Sequence, residues 1–186
     1  MLKKFSDFFK PEPQFDLSFE PFVKVISNIS LQVMKANDTH LEDLLNLEKR
    51  VYRGHTPWDR FSFRNELKKH HDSLYLVVYD GSQLVGFIGA RFFDKEGHIT
   101  NIAISPEYQH RKIGSFLVSM MIDYGRKNDC DLMTLEVRMD NAIAQAAYKK
   151  LGFKPNIVRK NYYFTDKMDG LNMVLNLKEG LHNVKE

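Results

Sequence analysis

Hydrophobic positions along the chain switch between two periods, and each switch marks an element. Residues 29–34 set Ile, Leu and Val against Ser and Gln at period two, which predicts a half-buried strand. Leu41, Leu44, Leu45 and Glu48 then fall on one helical face, behind a capping-box pattern in Thr39-His40-Leu41-Glu42. Gly54 and Pro57 break this helix, and Trp58 and Phe61 precede a second short one carrying Phe63 and Leu67. Trp58 reads as core rather than as a contact for substrate. Residues 74–79 and 83–92 read as two strands joined by the hairpin signal Asp80-Gly81. Gly86 and Gly89 inside the second predict a bulge or a close approach of backbone.

The segment 94–97 turns the chain into a strand over 98–104, which Ser105-Pro106 closes. Ile113, Leu117, Met120, Met121 and Tyr124 share a helical face. A strand over 132–138 follows. A helix after Asn141 then places Ala144, Ala147, Tyr148 and Leu151 together. Residues 157–164 and 171–177 read as a closing hairpin. Strands from hairpins, then strand and helix in alternation, predict an α+β fold whose central sheet is mixed and flanked by helices.

Residues 1–28 differ in pattern and read as an N-terminal extension, with the domain over 29–178 and a polar tail over 179–186. Leu2, Phe5, Phe8 and Phe9 recur at helical spacing beside Lys3, Lys4 and Lys10, until Pro11-Glu12-Pro13 stops any helix. Such a segment either docks on its own domain or forms a helix for a membrane surface or a partner.

Composition narrows the class. A chain of 186 residues with 43% hydrophobic and 27% charged content fits one globular domain with a sizeable core. A net charge of +3 is too small to argue for direct nucleic-acid binding. No apolar run approaches the roughly 20 residues that span a bilayer, so stable membrane insertion is not expected. Met1-Leu2-Lys3-Lys4 is not followed by a secretory apolar region, which favours the cytoplasm. The single Cys130 rules out an intramolecular disulfide framework and reads as a small packing residue. His98 and the pair His70-His71 lack metal-ligand spacing, so no metal is expected.

Three features carry candidate chemistry. The run Gln109-His110-Arg111-Lys112-Ile113-Gly114-Ser115 puts basic side chains just before a helix. Free N–H groups and the helix dipole favour an anion there, which points to a ligand with phosphates. Glu136 lies in mid-strand, sharing a face with Thr134 and Arg138. It is either a general base or the partner of Arg138 in an ion pair. Tyr148 either packs or, as a phenol with an ordinary pKa of about 10, donates a proton. Asn141 suits the N-cap of the helix that follows it.

The tracts NIAISPEYQ (101–109), IGSFLV (113–118), LEVRMDNAIAQAAYKKLGF (135–153) and RKNYY (159–163) together resemble the GNAT N-acetyltransferases. More narrowly, they resemble the bacterial ribosomal-protein-alanine N-acetyltransferases of the RimI type, over about residues 30–177. The resemblance implies the GNAT fold and transfer of acetyl from acetyl-CoA to the α-amine of a protein N-terminus. The acceptor it implies is the N-terminal alanine of a small-subunit ribosomal protein. By the same resemblance Glu136 is the general base and Tyr148 the general acid. Main chain of Ile102, Ala103 and Ile104 holds the pantetheine arm. His110, Arg111, Lys112, Ile113, Gly114 and Ser115 hold the pyrophosphate, and Asn141 faces the cofactor. Tyr162 and Tyr163 lie at the acceptor cleft. One position departs from the pattern: Lys112 stands where the family's loop has its first glycine. Two other readings stay open, an acetyltransferase for small-molecule amines and a non-catalytic acetyl-CoA-binding module.

Overall fold

The computed structural model describes residues 15–52, 57–163 and 167–178. The helical pattern of Leu2 to Lys10, the prolines at 11 and 13, Gly54, Phe164 and the tail from 179 lie outside them. The strands are β1 (Phe22–Ile26), β2 (Ile29–Lys35), β3 (Ser73–Asp80), β4 (Gln83–Phe93), β5 (Glu96–Ile104), β6 (Leu132–Arg138), β7 (Lys154–Tyr163) and β8 (Met168–Asn176). The helices are α1 (Leu41–Val51), α2 (Arg60–Lys68), α3 (Ile113–Lys127) and α4 (Ala142–Lys150). All eight strands form one sheet in the order β1-β2-β3-β4-β5-β6-β8-β7. Only β5 and β6 pair in parallel, so the sheet is mixed as expected.

Helices cover both faces. On one, Leu117, Val118 and Met121 of α3 pack with Ile99, Met133, Leu135 and Met173. On the other, Leu44 and Leu47 of α1 and Phe63 of α2 pack with Tyr75 and Phe87. Trp58 packs against Phe63, ring centroids 5.6 Å apart, as a core residue does. Cys130 is buried in the α3 layer.

Two local expectations change. The cap is Asn37, two residues before Thr39, and it starts a 3-10 turn ahead of α1 rather than α1 itself, whose own N-cap His40 makes no side-chain cap bond. Asn37 Oδ1 accepts from Thr39 N–H at 2.9 Å, and Asn37 N–H donates to His40 Nδ1 at 3.1 Å. This short turn, Asp38–His40, then leads into the helix. Asn is the stronger N-cap of the two residue types, and it takes the position. The second change is at the N-terminus. The segment read as an extension contributes β1, which pairs with β2 from Phe22–Val33 to Ile26–Ile29. Upstream of it Leu17 is buried, Lys127 Nζ lies 2.7 Å from Asp16, and Tyr124 donates its hydroxyl to Ser18 O at 2.5 Å. Residues 15–28 therefore dock on their own domain.

The feature that positions a site is a split in the sheet. Pairing of β5 with β6 runs only from Glu96–Leu132 to Ile99–Leu135. Beyond it, residues 101–104 keep β4 on one side, while Glu136 to Arg138 keep β8. A bulge coincides with the split: Gly89 faces Asn101, Ala90 faces Ile99, and Thr100 is the extra residue. Glycine is required at 89. A Cβ there would lie 2.1 Å from Cζ of Tyr75, whose hydroxyl is 3.1 Å from Thr100 Oγ1. Close approach and bulge, expected at Gly86 or Gly89, thus meet where the strands part.

Candidate active site

Glu136 occupies β6 just past the split. Its side chain is only 7% exposed, yet it is richly contacted. Oε2 lies 3.3 Å from His98 Nε2, and Tyr162 donates its hydroxyl to the same oxygen at 3.4 Å. Oε1 lies 3.2 Å from Arg159 Nε and accepts from Asn172 Nδ2 at 3.1 Å. The alternative partner, Arg138, turns away and forms a salt bridge with Asp140 at 3.0 Å. The sequence expectation of an ion pair with Arg138 fails because Arg138 lies at the end of β6, beside the turn that carries Asp140.

Tyrosines gather around this carboxylate. Tyr162 and Tyr163 stand edge to face, ring centroids 5.2 Å apart, and the Arg138 guanidinium lies 5.7 Å from the Tyr163 ring centroid. They occupy a stretch where β7 loses register with β8, and Asn161 there has φ 50. Burial, then the neighbouring Glu136 charge, raises the Tyr162 phenol above its usual range. Tyr163 is raised first by burial and then by Tyr162 and Tyr52.

Tyr148 lies on α4. Its ring packs edge-on to Phe153 at 6.1 Å and against the core, so the packing role is real. Burial pushes its phenol up to about 12, with Tyr52 adding to the rise. It is therefore fully protonated at neutral pH and equipped to donate. Asn141 is the N-cap of α4: its Oδ1 accepts from Ala144 N–H at 3.1 Å.

The basic loop enters α3 through left-handed backbone. His110 and Lys112 both adopt left-handed backbone, φ 60 and φ 65. Lys112 is thus in a conformation that suits the glycine it replaces. Bond formation in α3 begins with Phe116 N–H to Lys112 O at 3.0 Å. The N–H groups of Ile113, Gly114 and Ser115 precede that bond and have no carbonyl within the helix to donate to. Ile113 buries its side chain in the core, which leaves only its main chain for a ligand. Gly114 sits close to Ile104 and Ile102, with room for a Cβ at 3.6 Å from Ile104 Cγ1. His110, Arg111 and Lys112 are exposed. Among the described residues no group of three or more His, Cys, Asp or Glu is set to hold a metal.

Three residues of this site had no role assigned from sequence: His98, Arg159 and Asn172. His98 and Glu136 are both polar positions of alternating strands. The missing information was the register, His98 opposite Thr134, which places them side by side.

The profile of the acetyltransferase (GNAT) family matches residues 39–153. The chain belongs to the GNAT family. Sequence and structure relatives agree. A Bacillus subtilis protein, provisionally named a ribosomal protein bS18-alanine N-acetyltransferase, is 36% identical over 124 residues, which cover 67% of this chain and 82% of the relative. The crystal structure of the Escherichia coli ribosomal-protein-S18-alanine N-acetyltransferase superposes with a TM-score of 0.72 at 27% identity, covering 84% of this chain and 99% of that one. An N-acetyltransferase from Thermoplasma acidophilum, crystallised with coenzyme A, shares the fold at 20% identity and a TM-score of 0.68, covering 80% of this chain and 99% of that one.

This GNAT chain is an acetyltransferase, and acetyl-CoA is its donor. The site fits that donor in its chemistry. A diphosphate needs N–H donors and cations, and the α3 start and residues 110–112 offer both. An extended arm needs a strand edge, and residues 100–104 leave one free of β6.

Proposed function

We propose that the protein acetylates the α-amine of a protein N-terminus, and that its acceptor is the N-terminal alanine of a small-subunit ribosomal protein. The observation that carries this reading is Glu136, a nearly buried carboxylate flanked by Tyr162 in the mouth of the split sheet. The names of the relatives supply the acceptor class. An amine arrives as ammonium and must lose a proton before it has a lone pair to attack with. Glu136 takes that proton, and Tyr148 supplies one to the departing thiolate. Main chain of Ile102, Ala103 and Ile104 lines the donor arm, and His110 to Ser115 face its phosphates. Asn141 holds α4 in place beside the donor. Tyr162 and Tyr163 wall the acceptor side. Arg159, about half exposed, is free to leave Glu136 when an ammonium replaces its charge. An acceptor that is itself a ribosomal protein supports a cytoplasmic site of action, and the reading calls for no contact with nucleic acid or membrane.

Steady-state kinetics with an Ala-initiated peptide test these roles. Glu136→Gln should lower kcat by about 10²–10⁴-fold with little change in acetyl-CoA binding. Tyr148→Phe keeps the ring, so the protein should fold and lose kcat. Wild-type turnover in both variants would refute the chemistry. Turnover of spermidine with none of the peptide would favour the small-molecule reading, and binding of acetyl-CoA without any turnover the non-catalytic one.

A further inference from the structure

A base that is only 7% exposed faces a disposal problem. Each turnover leaves a proton on Glu136, and the next cannot begin until that proton has gone. The peptide itself fills the mouth of the cleft during the reaction. The structure offers a way out on the other side.

We propose that Thr134 and Glu96 conduct the proton of Glu136 to solvent, with His98 as the link; this rests on Glu136 being the base. The four side chains form one unbroken line on a single face of the parallel β5–β6 pair. Glu136 Oε2 is 3.3 Å from His98 Nε2. His98 Nδ1 is 2.7 Å from Thr134 Oγ1. The Thr134 hydroxyl donates to Glu96 Oε1. Pairing register dictates the line: Glu96 faces Leu132 and His98 faces Thr134, so alternate residues of both strands converge. The line ends at the start of β5, where Glu96 is half-buried and reaches water.

The donation order gives the line a direction. Thr134 has one hydroxyl proton and spends it on Glu96, so towards His98 it presents a lone pair. His98 Nδ1 must then carry the hydrogen, and Nε2 presents a lone pair towards Glu136. When Glu136 has taken the amine's proton, its O–H donates to that Nε2. The imidazolium so formed releases the Nδ1 proton to Thr134 Oγ1. Thr134 in turn releases its own proton to Glu96, which passes it to water. Each step breaks one N–H or O–H bond and forms another. The sum is one proton moved from amine to solvent, with Glu136 again a carboxylate and His98 left carrying its hydrogen on Nε2. Exchange of the imidazole hydrogen with water at the 25% exposed ring and rotation of the Thr134 hydroxyl restore the starting order. Thr134 is buried at 6% exposure, so water does not substitute readily at the middle of the line.

The test compares kcat and KM for wild type, Thr134→Val, Thr134→Ser, Glu96→Gln and Glu136→Gln, with and without added imidazole. Thr134→Val keeps shape and burial but ends the line. It should lower kcat about tenfold or more, less than the roughly 10²–10⁴-fold of a group that acts directly on the substrate, with KM for the peptide unchanged. Thr134→Ser should restore most of that loss, and imidazole should restore part of it as an external carrier. Glu96→Gln still accepts from Thr134 but does not take up a proton, and it should show the same kcat loss and the same rescue. It decides the matter if Thr134→Val does not fold. Wild-type kcat in Glu96→Gln, or a loss in Thr134→Val that imidazole leaves untouched, overturns the relay. If Glu136→Gln also keeps wild-type kcat, the base assignment itself has failed; if only Glu136→Gln loses it, the base stands and the relay falls.

Discussion

Glu48 lies on α1 at 1% exposure, where its Oε2 accepts from Trp58 N–H at 3.1 Å beside the Asn101 side chain. Burial pushes its carboxyl from 4.5 up to about 7, and the Trp58 hydrogen bond, together with the nearby Asn101 amide, only partly opposes the rise. The sign for stability follows from linkage. Between its ordinary range and about 7 the unfolded chain ionises this group while the fold keeps the proton, so stability falls as pH rises across that window. Glu48→Gln retains an acceptor for Trp58 and removes the titration. Its melting temperature should gain on wild type as pH rises from acid to neutral, in thermal melts at matched pH values; a constant difference would refute the assignment. Lys112 shows a different residue-scale tension. Left-handed backbone costs an L-residue roughly 1–2 kcal/mol, and glycine escapes most of this. Lys112→Gly should therefore unfold at higher denaturant while losing acetyl-CoA affinity mainly at low salt, where the cation acts unscreened. Equal affinity at low salt would mean that Lys112 does not touch the donor. Sequence flagged Lys112 as a departure because the family motif fixes the position. It read Glu48 only as one point of a helical face, because burial of a carboxylate depends on what packs over it.

At the scale of elements, hydrophobic period alone revealed the core strands and helices, since each buries one face against the next layer. Strand β1 escaped because it buries little: Val23 is 64% and Val25 65% exposed at the sheet edge. Its hairpin turn also lacks the usual glycine, with Ser27 at φ 50 and Asn28 at φ 64. The segment just before β1 is nevertheless part of the fold. Leu17 enters the α3-side core, and Lys35 Nζ donates to Leu17 O at 2.9 Å. Leu17→Ala should destabilise the protein by about 2 kcal/mol or more, the usual cost of truncating a buried leucine. Urea unfolding measures it, and a change within error would show that residues 15–18 merely rest on the surface. The pair proposed for catalysis, Glu136 and Tyr148, came from the motif, but the residues packed around Glu136 were not legible. His98, Arg159 and Asn172 come from three different strands, and only the pairing of β5 with β6 and of β8 with its neighbours brings them to Glu136.

At the scale of the molecule, the family match over 39–153 ends before Tyr162 and Tyr163, so the acceptor wall proposed for them lies beyond it. On the proposed reading the same sheet serves two purposes. Its continuous half, β1 to β5, offers a strand edge to the donor, beside the basic start of α3. Its other half, β6 to β8, carries the carboxylate and the tyrosines assigned to the acceptor. The two substrates of this proposal meet at the split between the halves, and the amine bound there decides which acceptor the enzyme serves. Tandem mass spectrometry after incubation with acetyl-CoA and an Ala-initiated peptide containing an internal lysine tests this most directly. The acetyl group should be found on the α-nitrogen of alanine and should vanish when that amine is blocked beforehand. Acetyl on the lysine side chain, persisting with the α-amine blocked, would contradict the assignment.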